Sequence, residues 1–270
     1  MMRVALLAPI DNSLYARLVL QGLLEMDGVK VAGVLVRSPW NLQRLRAELH
    51  RDGARLLRKV AQKLVLGDAR FEVESGETLL ALARERGLRS GSLRLMAAQH
   101  AIPYMQAGDH NDARALAFLR ETNANLMTFT GGGLLRAELL ALPGLGVLNC
   151  HTGMLPQYRG MDVVEWTAAE GKVAQVGFGA SLHFMERGVD SGPILLQERL
   201  EARAGEDFAR VRERLEVVMV RLMLAGAAGL RDGELKATPQ APEAGRQYYV
   251  MHTRVGAFAE RMRARQVDKS

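Results

Sequence analysis

The sequence predicts an α/β fold: a Rossmann-like, doubly wound, mostly parallel sheet with helices on both faces and a C-terminal helical and extended extension. A buried strand over 3–8, an amphipathic helix over 13–26 and a second apolar strand over 29–36 open the chain. Strand, helix and strand at this spacing are the first unit of a parallel sheet. The length of 270 residues suits one large α/β domain with an appendage. Short apolar runs that alternate with helical patterns continue beyond these elements, as this fold requires.

The remaining elements follow in chain order. They are helices over 40–66 and 76–98 with a turn at Gly67-Asp68, an extended piece over 100–104, a helix over 110–122, strands over 126–130, 145–151 and 174–186, a long helix over 206–230, extended pieces over 235–252 and a helix over 255–265. We expect a catalytic domain over 1–202 and a C-terminal helix and extension over 203–270. The long helix is apolar on more than one face, so we expect this tail to pack on the core or on a partner subunit of a homodimer.

Composition indicates an ordinary globular protein, with 48% hydrophobic and 24% charged residues. The single cysteine, Cys150, excludes an intrachain disulfide and a cysteine-rich metal site, and the reducing cytoplasm is the expected compartment. The apolar start breaks at Pro9 and Asp11, so it is too short for a membrane span and lacks a cleavage-type signal. We expect a soluble cytoplasmic protein with no membrane partner.

The net charge of +6 raises the question of a nucleic-acid partner. Basic residues are dense only over 44–63, where they could form a phosphate-facing patch. The same stretch carries apolar residues at helical spacing, which favours a solvated helix face instead. Aromatic residues do not interleave with the basic ones, so we expect no nucleic-acid partner.

The stretch NCHTGMLPQYRG, residues 149–160, carries the first candidate chemistry. Side chains alternate along a strand, so Asn149 and His151 share one face and Cys150 points to the other as a core residue. This polar pair ends an apolar strand at the carboxyl edge of the sheet, where open α/β sheets bind ligands. Residues 152–160 contain Gly and Pro and leave the strand as a shaped loop.

A second stretch, GASLHFMERGVDSGPILLQ, covers residues 179–197. Ser181, His183 and Met185 share one strand face, and a turn over 188–192 presents Asp190. After the strand at 126–130 comes Gly131-Gly132-Gly133, where bare backbone can approach a ligand, although a flexible turn is the alternative. No G-x-G-x-x-G follows the first strand, so the usual dinucleotide fingerprint is missing.

Together these segments closely resemble the 10-formyltetrahydrofolate-dependent formyltransferase family, which includes glycinamide ribonucleotide, methionyl-tRNA and amino-sugar formyltransferases. The matching residues are Asn149, His151, Leu155-Pro156, Tyr158-Arg159-Gly160, Trp166, His183, Asp190 and Gly192-Pro193. The resemblance is strong over 100–200 and looser over 1–36 and 205–250. Gly153 replaces the usual Ser, and Ser181 replaces the usual Thr. These two departures put the details of the substrate in doubt, but not the chemistry of the reaction.

The resemblance implies an enzyme that moves a formyl group from 10-formyltetrahydrofolate, its co-substrate, to an amine or hydroxylamine of a small molecule. Asn149, His151 and Asp190 are then the catalytic residues. Asn149 and a protonated His151 would donate to the oxyanion of a tetrahedral intermediate, and Asp190 would hold the imidazolium and help to carry the proton. No metal is needed for this chemistry, and none is expected.

The resemblance also implies where the folate lies. The matching positions are Gly133, Leu134 and Leu135 after the middle strand, and Met185, Glu186 and Val189 before Asp190. The backbone of Gly131–Gly133 would then reach the hydrogen-bonding edge of the pterin. For Leu134, Leu135 and Val189, ordinary core packing is the alternative to direct contact.

The acceptor stays open. The stretch APIDNSLYA, residues 8–16, replaces the glycine-rich phosphate loop of glycinamide ribonucleotide enzymes, and the 40 residues after Leu230 are too few for the further domain of methionyl-tRNA enzymes. An amino sugar, an amino acid or a hydroxylamine such as a siderophore precursor fits. One alternative is a formyltetrahydrofolate hydrolase that releases formate, which usually carries an extra N-terminal domain. Another is a non-catalytic folate-binding relative, which would not need all three polar residues.

Overall fold

The computed structural model of the chain describes residues 1–38 and 77–267. The helix predicted over 40–66 and the basic stretch over 44–63 lie outside the described residues. The strands are β1 Met2–Ala8, β2 Val29–Arg37, β3 Tyr104–Ala107, β4 Leu126–Phe129, β5 Gly146–His151, β6 Tyr158–Gly160, β7 Phe178–Phe184, β8 Ile194–Leu200 and β9 Arg246–Tyr248. The α-helices are α1 Leu14–Leu24, α2 Leu79–Glu85, α3 Leu93–Gln99, α4 Ala113–Thr122, α5 Ala137–Leu140, α6 Val163–Ala169, α7 Phe208–Arg231 and α8 Thr253–Val267.

Seven of the described strands form one sheet in the order β3-β2-β1-β4-β5-β7-β8. The pairs from β3 to β5 are parallel, whereas β5–β7 and β7–β8 are antiparallel. A separate two-stranded sheet joins β6 and β9 in parallel. The predicted mostly parallel, Rossmann-like sheet is confirmed.

The alternating side chains of β1 build a core on each face of the sheet. Val4, Leu6 and Ala8 pack in one apolar cluster with α1 and α7, while Ala5 and Leu7 pack in the other with α4 and α5. A strand that is apolar on both faces needs cover on both sides. The predicted helices on both faces are therefore confirmed.

The helix predicted over 76–98 is wrong, because the structure contains two short helices there. Thr78 caps α2 and Ser92 caps α3 through their side-chain oxygens. Between them Gly87 and Gly91 have φ values of +61° and +144°, which end the helical path. The extended piece predicted over 100–104 is also shifted, because Ala101, at a φ of +52°, closes α3 and the strand begins at Tyr104.

The antiparallel edge of the sheet differs from the prediction in two places. The strand predicted over 174–186 is shorter, since Gly177 has a φ of +81° and β7 begins after it. The predicted elements lack β8, which lies at the sheet edge and alternates between exposed and partly buried positions from Gln197 onward. In the sequence, the consecutive polar residues Gln197, Glu198 and Arg199 interrupt the apolar pattern that would indicate a strand.

The tail packs on the core. Helix α7 lies against β5 and β7, so closely that a Cβ on Gly226 would be 2.0 Å from Leu182 Cδ2. Helix α8 packs on α6, and β9 pairs with β6. The boundary at residue 202 and a homodimer stay predictions. Over the two described ranges no helix has both the length and the apolar character that crossing a membrane requires.

Candidate active site

The candidate site forms where β5 ends, at the carboxyl edge of the parallel strands. Asn149 pairs with His183 across the antiparallel β5–β7 ladder, and His151 pairs with Ser181. Cys150, between them, points into the apolar core, where burial raises the pKa of its thiol. Cys150 is therefore a core residue, as the strand alternation predicts.

Asp190 connects the two strands. It lies in the turn before β8 with a φ of +49°, in the left-handed region. Its Oδ2 is 3.3 Å from His151 Nδ1, and its Oδ1 is 3.5 Å from His183 Nε2. The backbone N–H of Gly160 also donates to Oδ2 at 2.9 Å. The carboxylate thus lies between two imidazole rings and one backbone donor.

His183 brings Asn149 into the same group. The Nδ1–H of His183 donates to the Phe184 carbonyl at 2.7 Å, which leaves Nε2 as an acceptor in the neutral ring. The Nδ2 of Asn149 lies 3.1 Å from that Nε2 and donates to it. The sequence motif contains His183, but the prediction gives it no role; the structure places it between Asn149 and Asp190. His183 therefore connects Asn149 to Asp190, and the three predicted catalytic residues form one group with it.

His151 is almost enclosed, with 7% of its surface exposed. Its Nε2 lies 2.8 Å from the Tyr158 carbonyl oxygen, and Asp190 faces its Nδ1. Burial lowers the pKa of His151, against the opposing effects of Asp190 and the Tyr158 carbonyl. Desolvation therefore favours the neutral form of the resting ring, and a protonated His151 stays a prediction. The Tyr158 carbonyl faces Nε2 and Asp190 faces Nδ1, so both N–H groups of the ring would have an acceptor after it takes up a proton.

The surroundings of Asp190, in contrast to those of His151, favour the charged form of the side chain. Burial acts to raise its pKa, but the adjacent His183 and His151 rings and the Gly160 N–H outweigh that effect and hold the pKa below its usual value. Asp190 is therefore ionised at neutral pH. An anion beside a neutral, proton-accepting imidazole can stabilise that ring when it becomes charged.

The loop after His151 is held by buried polar contacts. The Ser181 hydroxyl donates to the Gly153 carbonyl at 2.7 Å and accepts the Leu155 N–H at 3.1 Å. A Cβ on Gly153 would lie 2.6 Å from His151 Nε2 and 2.9 Å from the Tyr158 carbonyl oxygen. The backbone at residue 153 consequently runs in direct contact with the His151 ring.

A second loop, residues 131–135, follows β4 beside this site. Phe129 in β4 is the register partner of Asn149, and Gly131, Gly132 and Gly133 have φ values of +116°, +122° and +105°. Within the described part of the chain, the backbone N–H groups of residues 131–135 donate no hydrogen bond. The loop therefore presents a row of backbone donors at the carboxyl edge of the sheet.

Three side chains hold this loop, one from the end of β2 and two from the segment before α4. Arg37 donates to the Gly132 carbonyl, and Asn111 Nδ2 donates to the Leu134 carbonyl at 2.9 Å. His110 lies so close to Gly132 that a Cβ there would be 2.6 Å from its ring. These contacts hold the carbonyl side of the loop, while its N–H groups have no hydrogen-bond partner among residues 1–38 and 77–267.

The predicted folate contacts differ in exposure. Leu134 is 77% exposed, whereas Leu135 is 8% exposed and belongs to an apolar cluster that Met185 borders. Glu186 is exposed and Val189 is half-buried. Leu135 thus packs as a core residue, the alternative left open above, and only its backbone is available to a ligand. In residues 1–38 and 77–267, no group of three or more His, Cys, Asp or Glu could hold a metal ion.

A sequence profile described as formyl transferase matches residues 2–225. The methionyl-tRNA formyltransferase of Kosmotoga olearia is 30% identical over 146 residues, which cover 54% of this chain and 46% of the relative. That of Xanthomonas euvesicatoria is 31% identical over 166 residues, which cover 61% and 53%. The chain spans about half the length of the curated relatives it matches.

Solved structures share the fold. Phosphoribosylglycinamide formyltransferase from Anaplasma phagocytophilum has a TM-score of 0.58 at 15% identity, over 93% of this chain and 99% of that chain. A sugar N-formyltransferase from a Shewanella species has a TM-score of 0.58 at 12% identity, over 97% and 88%. At these identities the similarity shows the fold alone.

Proposed function

The chain belongs to the formyl transferase family, and we propose that it transfers a formyl group from 10-formyltetrahydrofolate to an amine or hydroxylamine nitrogen of a small-molecule acceptor. The observation that carries the proposal is the convergence of Asn149, His151 and Asp190 at the carboxyl edge of the sheet. The three residues supply a neutral donor, a proton acceptor and a fixed anion. These are the groups that formyl transfer between two nitrogens requires.

The attack forms a bond between the acceptor nitrogen and the formyl carbon and places negative charge on the formyl oxygen. The Asn149 amide has two hydrogens, of which one is directed to His183. The other is available to the oxyanion, which a preorganised donor stabilises. His183 thereby fixes the orientation of the Asn149 amide.

The same attack makes the acceptor nitrogen acidic. We assign its proton to His151, which is neutral in the resting site because burial lowers its pKa. Asp190 then stabilises the imidazolium. Collapse of the intermediate breaks the bond between the formyl carbon and the folate nitrogen, and the proton passes to that nitrogen as it leaves.

For the folate we propose the loop at residues 131–135 and the segment with Met185, Glu186 and Val189. The row of backbone N–H groups without internal partners suits the hydrogen-bonding edge of a pterin. Because Leu135 is buried in the core, its contribution is restricted to its backbone, as for Gly133. Leu134 is the exposed side chain of this loop and can cover an apolar ring.

The test is incubation of the protein with 10-formyltetrahydrofolate and a panel of acceptors, with tetrahydrofolate release and acceptor mass as readouts. The panel contains amino sugars, amino acids, hydroxylamines and, because the matched relatives carry that name, methionyl-tRNA. Release that depends on one acceptor, with a gain of one formyl group, is the expected result. Release of formate without any acceptor would indicate a hydrolase. Binding of tetrahydrofolate without release in any arm would indicate a non-catalytic relative.

A further inference from the structure

We propose that Gln240 and Arg159 are positioning residues for Asp190, with Gln240 holding the Asp190 turn from the C-terminal tail and Arg159 orienting the Gln240 amide. The inference rests on the proposed function, in which Asp190 acts on His151. It assigns to the tail beyond residue 225, where the family match ends, a part in the geometry of the site.

The first step is the contact between Gln240 and the turn. Its Nε2 donates to the Asp190 carbonyl at 2.9 Å and to the Gly192 carbonyl at 2.6 Å. Both amide hydrogens are therefore used, and they span the residues on either side of Ser191. A single side chain thus closes the turn that carries the carboxylate.

The second step is the orientation of that amide. Arg159 Nε donates to Gln240 Oε1 at 3.1 Å, and Arg159 Nη2 donates to the Ala241 carbonyl at 3.2 Å. A guanidinium has donors only, so the amide oxygen must face Arg159 and the NH₂ group must face the turn. Arg159 is 9% exposed, so its guanidinium is nearly removed from solvent.

The third step is the reason that Asp190 needs such a support. Its φ of +49° is a left-handed conformation, which is uncommon for a residue other than glycine. The turn persists because its surroundings hold it. Strand β6 holds it at two points: Gly160 donates directly to the carboxylate, and its neighbour Arg159 acts through Gln240 on the backbone.

The tail itself is anchored on both sides of Gln240. Thr238 and Ile194 exchange two backbone hydrogen bonds of 2.8 Å, and β9 pairs with β6. Gln240 therefore lies on a segment with little freedom to move. The charged or titratable groups facing Asp190 are His151 from β5, His183 from β7 and, through Gln240, Arg159 from β6.

The test compares Gln240→Glu and Gln240→Met with the control Gln99→Glu, at an exposed glutamine on α3. Gln240→Glu keeps an acceptor for Arg159 but removes the NH₂ donors, and Gln240→Met removes both functions. A displacement of a catalytic group by about 1 Å can cost 10²-fold, so we expect kcat to fall about 10- to 100-fold in both variants. We expect the KM for 10-formyltetrahydrofolate to stay near wild type and the thermal midpoint to fall only modestly, because two carbonyls lose a partner, whereas Gln99→Glu should be unchanged.

A double substitution tests whether Gln240 acts through Asp190. In an Asp190→Asn background, Gln240→Glu should cost little further activity, because residues that act on one group are not additive. A full additional loss in the double variant would overturn the proposal. So would wild-type kcat in both Gln240 variants.

A readout without turnover separates this inference from the proposed function. We follow the His151 ring proton by NMR against pH, assigned by its absence in His151→Gln. When the carboxylate moves away, the pKa of His151 should fall in Gln240→Met, which adds no charge, and stay in place in Gln99→Glu. An unchanged titration in Gln240→Met overturns the proposal. A shifted titration in a protein that formylates no acceptor supports the positioning role and rejects the formyltransferase.

Discussion

Asp190 Oδ2 lies 3.3 Å from His151 Nδ1 and accepts the Gly160 N–H at 2.9 Å. One carboxylate oxygen thus faces both the candidate proton acceptor and the strand that follows the β5 loop. Since Tyr158, the partner of His151 Nε2, belongs to the same strand β6, that strand contacts both members of the pair. Their separation therefore depends on where β6 lies.

Removal of either member should abolish most of the activity. We expect His151→Ala and Asp190→Ala each to lower turnover about 10²- to 10⁴-fold, the range for a positioned acid–base group or oxyanion donor. The measurement is kcat for formyl transfer under saturating 10-formyltetrahydrofolate. Near-wild-type turnover in either correctly folded variant would contradict the assigned roles.

Gly153 should tolerate no side chain. Its Cβ would lie 2.6 Å from His151 Nε2 and 2.9 Å from the Tyr158 carbonyl, and relief by backbone movement would break their hydrogen bond. We expect Gly153→Ala to destabilise the protein by about 1–3 kcal/mol in urea unfolding, as overpacking does, and to lower kcat. The matched control is Gly144→Ala, where a Cβ has no atom within 4 Å. Equal free energies of unfolding for the two variants would show that a side chain at residue 153 does not clash with His151.

Ser181→Ala should loosen the loop at 153–155. The hydroxyl is fully buried and bonds to the Gly153 carbonyl and the Leu155 N–H, which would both lose a partner. Leaving such groups unpaired costs about 1–3 kcal/mol. Urea unfolding measures the loss in the free energy of unfolding. Ser191→Ala is not a suitable control, because Ser191 lies in the turn beside Asp190, a residue of the candidate site. An unchanged unfolding free energy would show that the loop is held without the hydroxyl.

His110 should make stability depend on pH. Burial lowers its pKa to about 4, whereas its Nε2 keeps a hydrogen bond to the Ala8 carbonyl at 3.1 Å. The unfolded chain binds a proton at His110 below about pH 6.5 and the folded chain does so only near pH 4, so stability falls as pH drops through this window. From the two pKa values the loss is about 3 kcal/mol.

Urea unfolding between pH 7 and 4 measures this dependence. His110→Gln should flatten the curve, and His100→Gln, at an exposed histidine, should leave its slope unchanged. An equal slope in wild type and His110→Gln would show that His110 does not titrate in this window.

The central strands could be predicted from the sequence because each is a buried run whose pattern is local. The bounds of β1, β2, β4 and β5 lie within about two residues of the prediction. Strands β3 and β8 depend on their sheet neighbours, and neither has a clear local pattern. The sequence contains Gly87 and Gly91 at the break between α2 and α3, but it does not show that both residues adopt a positive φ.

The candidate site, like the fold, could be predicted from the sequence only in part. Asn149, His151 and Asp190 stand in recognisable motifs, and the structure brings them together. The charge state of His151 depends on how far the fold buries it, which its motif does not contain. Gln240 is 50 residues from Asp190 along the chain and 81 from Arg159, so no local pattern links them.

The place of Gln240 in the chain also sets an order of events during synthesis. The ribosome releases β5 first, then the Asp190 turn and β8, which complete the seven-stranded sheet. At that moment the Asp190 and Gly192 carbonyls still lack the Gln240 amide. The nascent polypeptide therefore carries every strand of the seven-stranded sheet before it carries the Gln240 contact, and the geometry at Asp190 is completed only after residue 240 has been synthesised.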